Sequence, residues 1–127
     1  MSSKEATQAL EDILDNTLLA SSFVKNITYE TFLTDKRTVY AVIRALEIIS
    51  EATRRLPEEI YSRYPHIPWV GIKGAGNIYR HDYEDVLESK VWATVINALP
   101  PLERVMREEL GKLYKEMGLS IEEISKL

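Results

Sequence analysis

The chain has 127 residues, 45% of them apolar and 28% charged, with a formal net charge of −4. That length fits one domain with a sizeable core, and the composition is that of a folded protein rather than a disordered one. The absence of cysteine excludes a disulfide framework, a cysteine nucleophile and cysteine-ligated zinc or iron–sulfur sites, and the net acidity argues against general affinity for nucleic acid.

No apolar run approaches the roughly 18 residues that cross a membrane. The opening MSSKEATQALEDILDN is acidic and amphipathic, unlike a secretory signal or an Arg-rich transit peptide. A cytoplasmic protein with no membrane partner is the expectation. The charge is uneven along the chain: residues 1–35 carry −4, residues 36–81 carry +4 and residues 82–127 carry −4. A phosphate ligand would be drawn to the basic middle third, although solvated helix faces give the same pattern.

In chain order the elements read as helices. Residues 3–25 place Ala6, Leu10, Ile13, Leu14, Thr17, Leu18 and Ser21 on one face at three-four spacing, with Ser2 and Glu5 spaced as a capping box. Asn26 and Thr28 mark a break, and TYETFL suits one turn or a little more. Asp35 or Thr34 is placed to cap a second long helix, 36–56, whose apolar face carries Val39, Val42, Ile43, Leu46 and Ile49. Pro57 ends it or starts a new short helix, and PEEIYSRY reads as that helix. Pro65 and Pro68 bracket the extended turn YPHIPW. WVGIKGAGNIYRH reads as a helix despite Gly71, Gly74 and Gly76. Each glycine costs about 0.8–1 kcal/mol relative to alanine, so close packing against another helix is expected to hold it. A helix near 86–98, a break at Pro100-Pro101 and a helix over 101–117 follow, with Gly118 as C-cap. Ser120 and Glu123 form a second capping box before the tail IEEISKL. With no alternating strand and no repeat, the fold class is all-α, an antiparallel helical bundle. Residues 1–127 read as a single domain, with 118–127 a short C-terminal tail.

Chemistry-bearing residues are few. No GxxxxGK[ST], no GxGxxG between strand and helix and no HExxH is present, and no nucleophile elbow supports a serine triad. His66 sits between two prolines and reads as a turn residue. His81 sits in NIYRHDYED. If the helix continues, Asn77 and His81 lie one turn apart on one face, and so do Gly76 and Arg80. A half-exposed histidine at a helix end has the same appearance. One imidazole performs both proton transfers of a phosphodiester cleavage only by shuttling, whereas two chains about a two-fold axis supply two. Trp69 and Trp92 read as core or interface anchors. Arg44 with Glu47 or Glu51 reads as an ion pair worth under about 1 kcal/mol.

Four stretches, VIRALEIISEATRRLPEE (42–59), HIPW (66–69), GNIYRHDY (76–83) and VWATVINALPPL (91–102), stand in an order that is informative together. From Thr38 to Met106 the chain resembles the HEPN-domain ribonuclease toxins, in particular the HepT-like proteins encoded beside minimal nucleotidyltransferases. The resemblance implies a helical bundle that pairs two-fold as a homodimer, with the active-site motifs facing across the cleft. It also implies the toxin of a type VII-like toxin–antitoxin pair, an endoribonuclease acting on RNA.

The family pattern is Arg, four to six residues, His, any residue, Tyr. His81-Asp82-Tyr83 matches its second half. The positions open to the arginine, Gly74, Ala75 and Gly76, do not hold one. By the resemblance His81 is catalytic, Asn77 shapes the site, and Tyr83 is the tyrosine to which the partner nucleotidyltransferase antitoxin transfers AMP, blocking the site with bulk and charge. Arg80 is the substitute for the absent arginine, reaching back over the small Gly76. Lys73 and Arg80 are the RNA-binding cations.

RNA carries its own nucleophile, the 2′-hydroxyl. His81 suits proton transfer at neutral pH, and Arg80 suits a bidentate grip on phosphate. No metal-ligand cluster is apparent, so no cofactor is expected and cleavage is predicted to be metal-independent, leaving a cyclic phosphate. The alternative function is a non-catalytic helical dimer that binds the nucleotidyltransferase or a nucleotide. A bland third is a helical adaptor.

Overall fold

The computed structural model describes residues 3–81 and 88–118, together with the side chains of these residues other than Ser3, Ile78, Arg80 and His81. The expected capping boxes at Ser2 and Ser120, and Tyr83, lie outside the described residues. The described elements are all helical: α1 (Ser3–Phe23), α2 (Tyr29–Thr34), α3 (Lys36–Thr53), α4 (Glu58–Arg63), α5 (Trp69–His81), α6 (Glu88–Ala93), a π-helical turn (Thr94–Ala98) and α7 (Leu99–Glu116).

The punctuation works largely as read. Asn26 takes φ of 64° after α1, a left-handed conformation that asparagine tolerates. Thr28 caps α2 by accepting from the Thr31 amide. Asp35, not Thr34, caps α3. Its carboxylate accepts from the Thr38 amide at 3.2 Å and the Thr38 hydroxyl at 2.7 Å, and these bonds hold its pKa below the usual value. α3 stops at Thr53, about a turn before Pro57, which then caps α4. Gly118 turns the chain at φ of 79° after α7, donating its amide to the Lys115 carbonyl.

Pro100-Pro101 does not break the chain. Neither proline has an N–H to give the carbonyl four residues earlier, and each ring crowds that carbonyl. The helix answers by widening: Thr94–Ala98 form a π-helical turn in which the Leu99 amide bonds five residues back to Thr94. The prolines then sit in the first turn of α7, where absent N–H groups cost least.

α3 is the centre of the bundle, packed on α1 at one side and α5 at another, with α7 closing over α1. Leu10 and Ile13 of α1, Val42 of α3 and Leu102 and Met106 of α7 are fully buried together. Each such side chain contributes roughly 1.5–3 kcal/mol. Leu18, expected on the inner face of α1, is 36% exposed. Trp92 of α6 packs on Phe32 and Tyr29 of α2, with ring centroids 5.1 and 5.7 Å apart.

The α4 end is pinned by a charged cluster that periodicity does not reveal. Glu109 of α7 is buried and accepts from Arg63 Nε at 2.9 Å, Arg63 Nη2 at 3.0 Å and the Tyr64 hydroxyl at 2.8 Å. Trp69, buried at the start of α5, donates its indole N–H to the Tyr64 carbonyl at 2.9 Å. The extended turn YPHIPW is thereby fixed at both ends, and this sets where α5 begins. His66 lies exposed in that turn, its ring edge-on to Tyr64.

Candidate active site on helix α5

α5 runs unbroken from Trp69 to His81, so the helical register of the motif residues is real. Val70, Gly74 and Asn77 are exposed, and the positions 70, 74, 77 and 81 repeat at the spacing of one helix face. His81 therefore falls in the outward row, four residues after Asn77. Ile72 and Tyr79, half-buried, and Gly76, buried, form the inward side. Arg80 falls in the neighbouring row with Lys73 and Gly76.

One of the three glycines carries the close approach expected of all of them. A Cβ on Gly76 would lie 2.7 Å from Ser50 Oγ and 3.0 Å from Ser50 Cβ, whereas a Cβ on Gly71 or Gly74 meets nothing within 4 Å. Ser50 of α3 is buried in this contact. Its hydroxyl accepts from the Gly76 amide at 2.9 Å and donates to the Lys73 carbonyl at 3.0 Å. Arg54, the residue that caps the C-terminal end of α3, donates Nε to that same carbonyl at 2.9 Å. α3 and α5 are thus bolted antiparallel through one turn, and Ser50 fills the space over Gly76.

The far end of α5 is seated by Tyr79. It packs against the core and lines, with Leu46, Ile49, Thr94 and Leu102 among others, a small void of about 30 Å³, and burial pushes its phenol above the usual pKa. The π-helical turn contributes Thr94 to that wall. Three supports therefore fix the row carrying Asn77 and the His81 position: Trp69 at the start, Ser50 at the middle and Tyr79 near the end.

Lys73 is half-buried with its ammonium 3.6 Å from the centroid of the Tyr61 ring. Tyr61 is fixed in turn by its hydroxyl, which donates to the Thr53 carbonyl at 2.6 Å, and by the edge of Trp69. Lys73 is held toward α4. The Arg44–Glu47 pair forms at 3.8 Å with Arg44 71% exposed, and Glu51 stands exposed one turn on. Sequence reasoning missed Ser50 and Arg54. The signal for Ser50 was a small hydroxyl on the inward side of α3, beside Ile49 and four residues before Arg54.

A family model for the HepT-like ribonucleases matches residues 9–109. A Methanocaldococcus jannaschii protein named as a candidate RNase is 38% identical over 100 residues, 79% of this chain and 83% of the relative. Another from the same organism, named likewise, is 35% identical over 119 residues, 94% of this chain and 99% of the relative. A Thermococcus cleftensis protein named probable ribonuclease HepT is 40% identical over 93 residues, 73% of this chain and 84% of the relative. No solved structure matches significantly. With helices in place of strands throughout the described residues and the family match spanning most of its length, this chain belongs to the HepT-like ribonuclease family.

Proposed function

We propose that the chain is a metal-independent endoribonuclease and the toxin of a toxin–antitoxin pair. The observation that carries this reading is the unbroken α5, which puts Asn77 and the His81 position in one outward row on a helix seated at three points. Two copies paired about a two-fold axis along that row bring two imidazoles over one groove. Gly71 and Gly74 support the pairing. They carry the helix cost of glycine with no close contact among the described residues to require it, while Val70 beside them is 86% exposed.

In the reaction one His81 accepts the proton of the RNA 2′-hydroxyl as its oxygen bonds to phosphorus. The second His81 gives a proton to the departing 5′-oxygen as the P–O5′ bond breaks. The products are a 2′,3′-cyclic phosphate and a 5′-hydroxyl end. Arg80 supplies positive charge to the phosphorane oxygens, with Asn77 as a neutral donor beside them. A nucleotidyltransferase antitoxin silences the site by transferring AMP to Tyr83, adding bulk and negative charge.

Incubating the purified protein with single-stranded RNA tests the reading. Cleavage with cyclic-phosphate ends, unchanged by excess chelator and lost in His81→Ala, is expected, with growth arrest on expression relieved by the same substitution. Cleavage that disappears with chelator and returns with magnesium contradicts the metal-independent route. A mass gain of AMP on the Tyr83 peptide after co-expression with the nucleotidyltransferase tests the silencing. One observation favours a second reading, a non-catalytic dimer binding the transferase or a nucleotide: the family arginine is absent and Ser50 leaves no room for it at Gly76. Nucleotide binding without RNA cleavage selects that reading.

A further inference from the structure

Several cations of the basic middle third are already engaged. Among the described side chains, Arg55 is paired with Asp12 at 2.9 Å, Arg63 with Glu109 at 2.9 Å and Arg44 with Glu47 at 3.8 Å. Lys73 is drawn onto the Tyr61 ring. Arg54 differs from all of these. It is exposed and makes no ion pair among the described residues, yet it is not loose. Its Nε is committed to the Lys73 carbonyl on α5, the atom that Ser50 also engages.

That one bond has a geometric consequence. A guanidinium is planar and presents its donors as a rigid fork. With Nε fixed on α5, the two terminal nitrogens remain as donors beside the Lys73 turn. Lys73 precedes Asn77 by one helical turn, about 5.4 Å along the axis, and precedes His81 by eight residues, about 12 Å. This separation is beyond hydrogen-bond reach of a phosphate undergoing cleavage at His81, and Lys73 stands in the row of α5 beside the outward one.

We propose that Arg54 is an RNA-binding residue that grips a phosphate flanking the scissile one and sets the register of the strand along α5. The proposal rests on the ribonuclease reading for its reaction, but not for its binding. Arg54 acts as a substrate-positioning group: it affects capture of RNA that extends past the cleavage point and leaves the chemical step alone. The bidentate fork, already fixed at Nε, loses less freedom on binding than a free side chain does. Ser50 belongs to the same device, since it holds the Lys73 carbonyl where Arg54 reads it.

The test compares the wild-type protein with Arg54→Gln and Arg54→Lys. Glutamine keeps a donor for the Lys73 carbonyl and removes the charge; lysine keeps the charge and loses the fork. Binding is read by fluorescence anisotropy with a short single-stranded 2′-O-methyl RNA, which lacks the nucleophile and survives intact. Arg54→Gln is expected to bind several-fold more weakly, with the slope of log affinity against log salt reduced by about 0.7, the contribution of one phosphate contact on a single strand. Arg54→Lys is expected to keep the slope and recover part of the affinity. On cleavable RNA, Arg54→Gln raises KM with kcat unchanged, and on a dinucleoside monophosphate, which has no flanking phosphate, it changes neither.

Equal binding and an equal salt slope in Arg54→Gln overturn the proposal, and a lowered thermal midpoint alongside them assigns Arg54 to packing alone. An equal loss on the dinucleoside monophosphate overturns the flanking position. If the wild-type protein binds the 2′-O-methyl strand through Arg54 but cleaves no RNA, the ribonuclease reading fails while Arg54 stands. Absence of binding removes both.

Discussion

Replacing the glycines of α5 by alanine adds one methyl group at neighbouring places on one helix, and the structure expects opposite signs. In a helix interior the change stabilises by about 0.8–1 kcal/mol through backbone entropy. At Gly74 a Cβ meets nothing within 4 Å, so that gain stands in full. At Gly76 it lies 2.7 Å from Ser50 Oγ and 3.0 Å from Ser50 Cβ. Rotating the hydroxyl away does not cure the second contact, because the Cβ is fixed to the α3 backbone. Either α5 withdraws from α3, or Ser50 gives up its bonds to the Gly76 amide and the Lys73 carbonyl. Overpacking costs about 1–3 kcal/mol, and each lost bond about 0.5–1.5 kcal/mol. Less the helix gain, Gly76→Ala is expected to destabilise by about 0–2 kcal/mol. Urea unfolding followed by circular dichroism, at one protein concentration, reads both variants. Adding Ser50→Gly removes both clashing atoms, so the double-mutant cycle is expected to return a coupling of about 1–2 kcal/mol. A Gly76→Ala protein that gains as much as Gly74→Ala would refute the close approach, and with it the seating of α5 on α3. Gly74→Ala carries a second readout. If the outward row is where two copies meet, the same methyl group that stabilises the chain weakens self-association by sedimentation.

The Glu109 cluster gives an acid-stability prediction. Burial alone would raise the Glu109 pKa, but hydrogen bonds from Arg63 and Tyr64 and the charges of Arg63 and Lys112 outweigh it, so the folded value lies below the ordinary 4.5. The stabilisation is therefore complete above about pH 4.5 and lost as pH falls through the folded value. Glu109→Gln is expected to cost about 1.5–3 kcal/mol at neutral pH, with the difference from wild type shrinking below pH 4 in denaturant titrations at each pH; a constant difference would contradict the linkage. Trp69→Phe removes the donor to the Tyr64 carbonyl and is expected to lower stability by about 1–2 kcal/mol, whereas no loss in the same titration would show that the indole N–H does not fix the turn before α5.

What the sequence discloses depends on how local its cause is. α3 could be read because the spacing of Val39, Val42, Leu46 and Ile49 is itself the cause of burial, and Asp35 could be read as a cap because the bond it makes spans three residues. The widened turn before Pro100 was legible only as a disturbance: proline announces that a helix must change, and the surrounding packing decides between a break and a π-helical turn. The site divides the same way. The outward row of Asn77 and the His81 position follows from helical register once α5 is continuous. Ser50 and Arg54 do not, because their partner lies 23 and 19 residues away in the chain and neither residue type announces a long-range bond to a carbonyl. Lys73 looked like a free cation beside three glycines, and only the fold puts Tyr61 under it. The cluster at Glu109 was hidden for the same reason, since Arg63 and Glu109 are 46 residues apart.

The position where the family pattern leads one to look for an arginine bears on the whole site. Gly76 is usually read as something missing, but here it is half of a contact whose other half is Ser50. Any side chain at 76 has to displace the Ser50 hydroxyl, and the two bonds that hydroxyl makes are what seat α5 on α3. Returning an arginine to Gly76 by itself therefore adds a cation and loosens the helix that would aim it. A site built on this contact has to draw positive charge from residues beside the glycine rather than from the glycine position. Arg54 stands on α3 against the turn before Asn77, and Arg80 follows Gly76 by one turn in α5. On the proposed reading, the cations of the site stand about a helical turn to either side of Gly76 rather than at it.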